Sequence, residues 1–156
     1  MRVLVDTNVV LDFLLHREPW MAQSRELLRA QREGKVGLFI SANSVTDLFY
    51  VIRRQAGRHR AWTAIRACLK HLTVVANGRA ELLAAAQLDG PDFEDNLQVV
   101  CAVAAQVEAI VTRDTTGFDF SPQPSDAASR RDQQARSIVT QEPSRRISRS
   151  GSSNEE

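Results

Sequence analysis

Long apolar runs are missing from this chain of 156 residues, and lysine, tyrosine and cysteine are scarce: Lys and Cys each occur twice and Tyr once. Without about 20 consecutive apolar residues no membrane-spanning helix is expected. Charges at Arg2 and Asp6 leave no apolar leader at the N-terminus, so the protein is read as cytoplasmic. Two cysteines, Cys68 and Cys101, lie in apolar, helical-looking segments and read as buried thiols rather than as a disulfide framework. The three histidines, His16, His59 and His71, stand in unrelated contexts, and no zinc-ligand spacing is present. The net charge of +1 points to no class of partner. No GxGxxG follows the first apolar run, which argues against dinucleotide binding.

What is present divides near residue 121. Residues 121–156 hold nine Ser and no aromatic residue, with Ile138, Val139 and Ile147 as the branched aliphatics. Such a stretch has little apolar surface to offset its ordering entropy, so a largely disordered tail is expected, with a short pairing segment at Ser137–Thr140. Residues 1–120 alternate short apolar runs with helical periodicity. Strands are expected at Val3–Val5, Val36–Ile40, Leu72–Ala76 and Ala109–Val111. Helices are expected over 8–14, Trp20–Glu33, from Ser41 to about Gln55, around Trp62, Ile65 and Leu69, over 79–88, and over Phe93–Val107. Ser41 and Asn77 are placed as N-caps. The Phe93–Val107 helix is apolar nearly all round and reads as sandwiched. Uniformly apolar strands separated by helices indicate an α/β fold, Rossmann-like, with a mainly parallel central sheet flanked by helices.

In such sheets ligands bind beyond the carboxyl ends of the strands. Asp6 ends the first strand and Asp114 follows the fourth. Asp47 lies in the first two turns of the helix after the second strand, and Asp95 in the first turn of the Phe93 helix. Converging carboxylates oppose one another's ionisation, and a hard divalent cation, Mg²⁺ or Mn²⁺, relieves that penalty. Such a cation commonly works on phosphates, so the acids point towards phosphodiester hydrolysis. Each acid also has a structural reading: Asp6 and Asp114 as turn or cap residues, Asp47 as a solvated flank, and Asp92, Glu94 and Asp95 as acids favoured by a helix dipole. Arg53, Arg54, Arg58, His59 and Arg60 form the densest basic run of the body, and Arg113 adjoins Asp114; these are candidate RNA-backbone contacts or solvated helix ends. Asp6-Thr7-Asn8 lacks the second acid of a DxD phosphohydrolase, and no receiver-type Lys stands near a terminal strand.

The chain resembles the PIN domain family, the nuclease domain common among bacterial toxin–antitoxin toxins. The resemblance rests on VLVDTNVVLDFLL at Val3–Leu15, ISANSVTDLFYVIRR at Ile40–Arg54, DFEDNLQVVCA at Asp92–Ala102 and AIVTRDTTGF at Ala109–Phe118, in the family's order and spacing. It implies a Rossmann-like PIN domain over residues 1–120 and a metal-dependent endoribonuclease leaving 5′-phosphate and 3′-hydroxyl ends. It carries the family's acidic positions onto Asp6, Asp47, Asp95 and Asp114 as catalytic metal ligands, with Asn8, Asp92 and Thr112 supporting. Asp47 stands where many members have Glu, which shortens the reach by one methylene. The resemblance further implies an RNA substrate, a cognate antitoxin and often a homodimer, with Trp20, Phe49, Tyr50 and Trp62 as apolar contacts. A standalone RNA-processing nuclease and a catalytically inactive RNA- or protein-binding module are the alternatives. Members usually end in a short strand and a hydrophobic helix; here Ile138–Pro143 echoes the strand and no apolar helix follows.

Overall fold

The computed structural model describes residues 1–113. Asp114 and the expected pairing segment at 137–140 lie outside the described residues.

Four strands, β1 (Arg2–Val5), β2 (Gly37–Ser41), β3 (Thr73–Val75) and β4 (Ala109–Val111), form one parallel sheet in the order β3-β2-β1-β4. The register sets Val3 against Leu38 and Ala109, and Leu4 against Phe39 and Ile110. Because side chains alternate across a strand, β1 feeds two cores. Val3 and Val5 join Leu38 and Ile40 under helices α1 (Thr7–Leu14), α3 (Ala42–Ala56) and α4 (Arg58–His71). Leu4 and Ile110 join Ala85, Leu97 and Cys101 under α5 (Arg79–Ala85) and α6 (Phe93–Ala104). Each such aliphatic side chain taken fully from water contributes about 1.5–3 kcal/mol, which explains why apolar strands select a sheet covered on both faces. Helix α2 (Met21–Arg32) completes the crossover from β1 to β2. Cys68 and Cys101 are buried free thiols, as expected, and burial pushes both up to about 11.

The helices depart from the sequence pattern in instructive ways. Ser41 occupies the N-cap of α3, but its hydroxyl is spent on Ser44 Oγ at 2.6 Å instead of capping a backbone N–H. Asn77 does not cap α5. Gly78 does, while the Glu81 carboxylate accepts the Gly78 N–H at 2.7 Å and Asn77 Nδ2 donates to Asn43 Oδ1. Helix α5 stops at Ala85 rather than 88, because the Asn96 amide donates to the Ala85 and Leu88 carbonyls. In α4 the buried face is Ala61, Ala64, Ile65 and Cys68, leaving Trp62 and Leu69 exposed. Small Ala side chains let α3 and α4 approach, so the expected stripe is rotated. The turn between them uses Gly57 at φ 85°, a conformation that costs an L-residue strain although a Cβ would meet no atom. Helix α6 ends at Ala104 and is not sandwiched among the described residues: Phe93 is 50% and Val103 43% exposed.

Candidate active site

Strand order reverses at β1: the chain leaves β1 towards β2 on one side and returns to β4 on the other. Open α/β sheets bind ligands at such a reversal, outside the strand carboxyl ends. Asp6 follows β1 there, and Thr112 follows β4. They are stitched together by the Asp6 N–H donating to the Val111 carbonyl at 3.0 Å and Thr112 Oγ1 donating to Asp6 Oδ2 at 2.8 Å.

Asp6 is 4% exposed. Its Oδ1 accepts from Gln98 Nε2 at 3.3 Å and, as the N-cap of α1, from the Asn8 N–H at 3.4 Å. Asn8 thus supports Asp6 through its backbone. Donors from α1, α6 and the end of β4 therefore meet on one carboxylate.

Helix α6 brings a second carboxylate that the sequence left among dipole-favoured acids. Glu94 Oε1 accepts from Thr7 Oγ1 at 3.0 Å, which ties α6 to the start of α1. Burial pushes Glu94 above its ordinary value; the Thr7 hydroxyl offsets part of this, and Asp47, Asp6 and Asp92 push in the same direction as burial. Asp47, in the second turn of α3, is itself pushed up by burial. Glu94 thus lies within electrostatic reach of both Asp6 and Asp47. Nothing in the sequence sets Glu94 apart from the other first-turn acids of α6; its contact with Thr7 does.

The remaining expected residues are distributed as follows. Asp92 is the N-cap of α6, its Oδ1 accepting from the Glu94 N–H at 2.7 Å and the Asp95 N–H at 3.4 Å. Asp95 is partly buried in that first turn. Arg53, Arg54, Arg58 and Arg60 are exposed at the α3–α4 turn and form no ion pair among the described residues. Arg113 instead reaches back to Asp12, Nη1 to Oδ1 3.2 Å, and lies over the Trp20 ring. Asp12, also missed in the sequence, is 1% exposed; burial pushes its carboxyl up, and Arg113 and then Arg17 hold it down.

Among the described residues, no three His, Cys, Asp or Glu side chains are grouped closely enough to hold one metal ion. The expected convergence therefore appears as a loose cluster rather than a closed cage, with Asp114 outside the description. The donor set is nonetheless all carboxylate oxygen, the chemistry of a hard cation. Burial gives the larger part of the upward push on Glu94, and a nearby cation would oppose the part that Asp47, Asp6 and Asp92 add. In kind these donors suit a hard divalent ion, although among the described residues they are not drawn together around one point.

Comparison with known proteins bears on the family and the fold. The model for the PIN domain family matches residues 2–116. The chain is 27% identical over 122 residues to Ribonuclease VapC1 of Aquifex aeolicus, covering 75% of this chain and 84% of that protein. In structure it is similar to Mycobacterium tuberculosis VapC20, a toxin described as cleaving the sarcin–ricin loop, with a TM-score of 0.61 at 12% identity, covering 76% of this chain and 96% of that one. It is also similar to a toxin–antitoxin complex chain from Klebsiella pneumoniae, with a TM-score of 0.56 at 18% identity, covering 77% and 92%. At these identities the structural likenesses speak for the fold alone. A family match spanning nearly all described residues, on a parallel four-stranded sheet, establishes that this chain belongs to the PIN domain family.

Proposed function

We propose that this protein is a metal-dependent endoribonuclease, and that it acts as the toxin of a toxin–antitoxin pair. The observation that carries the reading is Asp6, held on both carboxylate oxygens at the strand reversal, with Glu94 in electrostatic reach of it and of Asp47. Relatives named as a ribonuclease and as toxin–antitoxin structures support it.

Asp6, Asp47 and Glu94, with Asp95 and Asp114, are the residues that would hold Mg²⁺ or Mn²⁺. When bound, such an ion offsets the carboxylates' repulsion and polarises a phosphate oxygen. The chain's own part is to fix Asp6 through Thr112 and Gln98, and Glu94 through Thr7. Hydrolysis then adds water to phosphorus and breaks the P–O3′ bond, leaving a 5′-phosphate and a 3′-hydroxyl. Arg53, Arg54, Arg58 and Arg60, which form no ion pair among the described residues, supply positive charge for the RNA backbone. Arg113 is tied to Asp12 and is the weaker candidate. Tyr50 at 66% and Trp62 at 44% exposure, with Phe49 packed against both rings, give apolar surface for a second copy or an antitoxin.

The test is RNA cleavage with Mg²⁺ or Mn²⁺ by the wild type and by Asp6→Asn, Asp47→Asn, Glu94→Gln and Asp95→Asn. Cleavage is expected to need the ion and to fall at least about a hundredfold in Asp6→Asn, the scale at which lost electrostatic stabilisation shows. Equal cleavage by all variants, or cleavage that survives chelation, would reject the site. A small reading frame immediately upstream whose product suppresses the cleavage would establish the toxin role.

A further inference from the structure

Two amides lie two residues apart in α6, and both carry a buried carbonyl oxygen with no hydrogen-bond partner among the described residues: Asn96 Oδ1 and Gln98 Oε1. Their nitrogens go to different places. Asn96 Nδ2 donates to the Ala85 and Leu88 carbonyls, so that side chain closes the end of α5. Gln98, 1% exposed, donates instead to the Asp6 carboxylate across 92 residues of sequence.

A buried amide with one unmet oxygen opposes folding, and an apolar side chain of the same length would pack without that cost. Gln98 supplies the side-chain donor to Oδ1 of Asp6, beside the Asn8 backbone N–H on the same oxygen and opposite the Thr112 hydroxyl on Oδ2. Two side-chain donors on the two oxygens fix the rotation of the carboxylate plane, and neither adds charge to a cluster already crowded with acids. We propose that Gln98 is a positioning residue: it holds Asp6 in the orientation needed for a divalent cation, while Asn96 serves the fold. This rests on the metal-nuclease reading above.

The experiment measures Mn²⁺ affinity of the full chain by calorimetry, with thermal melting of the metal-free protein alongside. The variants are Gln98→Met, Asn96→Leu, Asp6→Asn and the Asp6→Asn/Gln98→Met double variant. Gln98→Met is expected to weaken Mn²⁺ binding about tenfold, the usual scale for a group that orients a ligand. In the Asp6→Asn background it should weaken binding no further, since its effect passes through Asp6. Asn96→Leu should lower the melting temperature and leave Mn²⁺ affinity unchanged. If Gln98→Met folds poorly, Gln98→Asn keeps the amide but draws its nitrogen back by about one bond length, roughly 1.5 Å, and should show the same loss. Wild-type Mn²⁺ affinity in Gln98→Met and Gln98→Asn, with Asp6→Asn impaired, would overturn the positioning role and leave the nuclease reading standing. Unchanged affinity in Asp6→Asn would remove the nuclease site itself, and the role of Gln98 with it.

Discussion

The most informative single residue is Glu94. An acid whose folded-state pKa lies above its unfolded value binds its proton more tightly in the folded protein. The stability this gives is full below the unfolded pKa, near 4.5 for Glu94, and is lost as pH rises through the raised folded value. Metal-free protein should therefore lose stability above about pH 4.5, and Glu94→Gln should flatten that fall by removing one titrating group. Asp12 and Asp47 are shifted in the same direction and leave a residual slope in the variant. Melting temperatures measured in chelator from pH 4.5 to neutral decide it; parallel curves for the two proteins would show that Glu94 does not feel the cluster. Sequence alone singled out Asp6 by its place at the end of an apolar strand, although the same place suits a helix cap, which Asp6 also is. Glu94 was harder to read. A helix dipole accounts for any acid in a first turn, and only the tertiary contact with Thr7 singles this one out.

At the scale of elements, the strands were readable almost to the residue, since each needs only a short apolar run. Helix faces were less so. The stripe of α4 rotated because Ala61 and Ala64 permit a close approach that no periodicity encodes. The N-terminus of α6 permits a direct test of one residue with two readings. Asp92 was expected as an auxiliary acid, and in the structure its carboxylate caps α6. Removing an Asp cap costs about 1 kcal/mol, whereas Asn caps nearly as well. Asp92→Ala should then lower the melting temperature by about 4 °C for a chain of this size, and Asp92→Asn should restore it. If the cap is the whole role, RNA cleavage by Asp92→Asn stays at wild-type level. An Asn variant that melts normally but cleaves poorly would return Asp92 to the acidic site.

At the scale of the whole molecule, the parallel sheet was readable from its apolar strands, but the order β3-β2-β1-β4 was not. Strand order is decided by which faces the crossover helices can cover, a property of the assembled cores. That order puts residues more than a hundred positions apart side by side, and it explains the pairing of Arg113 with Asp12. Arg113 follows β4 and was expected beside the phosphates. In the structure it anchors the chain leaving β4 to α1, on a carboxylate that is 1% exposed. Taking away one partner of a buried pair leaves an uncompensated charge and costs about 3–5 kcal/mol. Arg17 remains 3.9 Å from Asp12 and is more exposed than its partner, so the loss in Arg113→Met should sit near the lower end of that range. Replacing both groups, in Asp12→Leu/Arg113→Met, removes the stranded charge and should recover most of the stability. Urea denaturation of the two single variants and the double variant measures the coupling. A backbone contact for RNA makes a different prediction: Arg113→Met would melt like the wild type and lose affinity for RNA in a salt-dependent way. The two measurements decide between them, because urea stability reads the Nη1 contact with Asp12, whereas the salt dependence of RNA affinity reads whether the remaining guanidinium donors meet a phosphate.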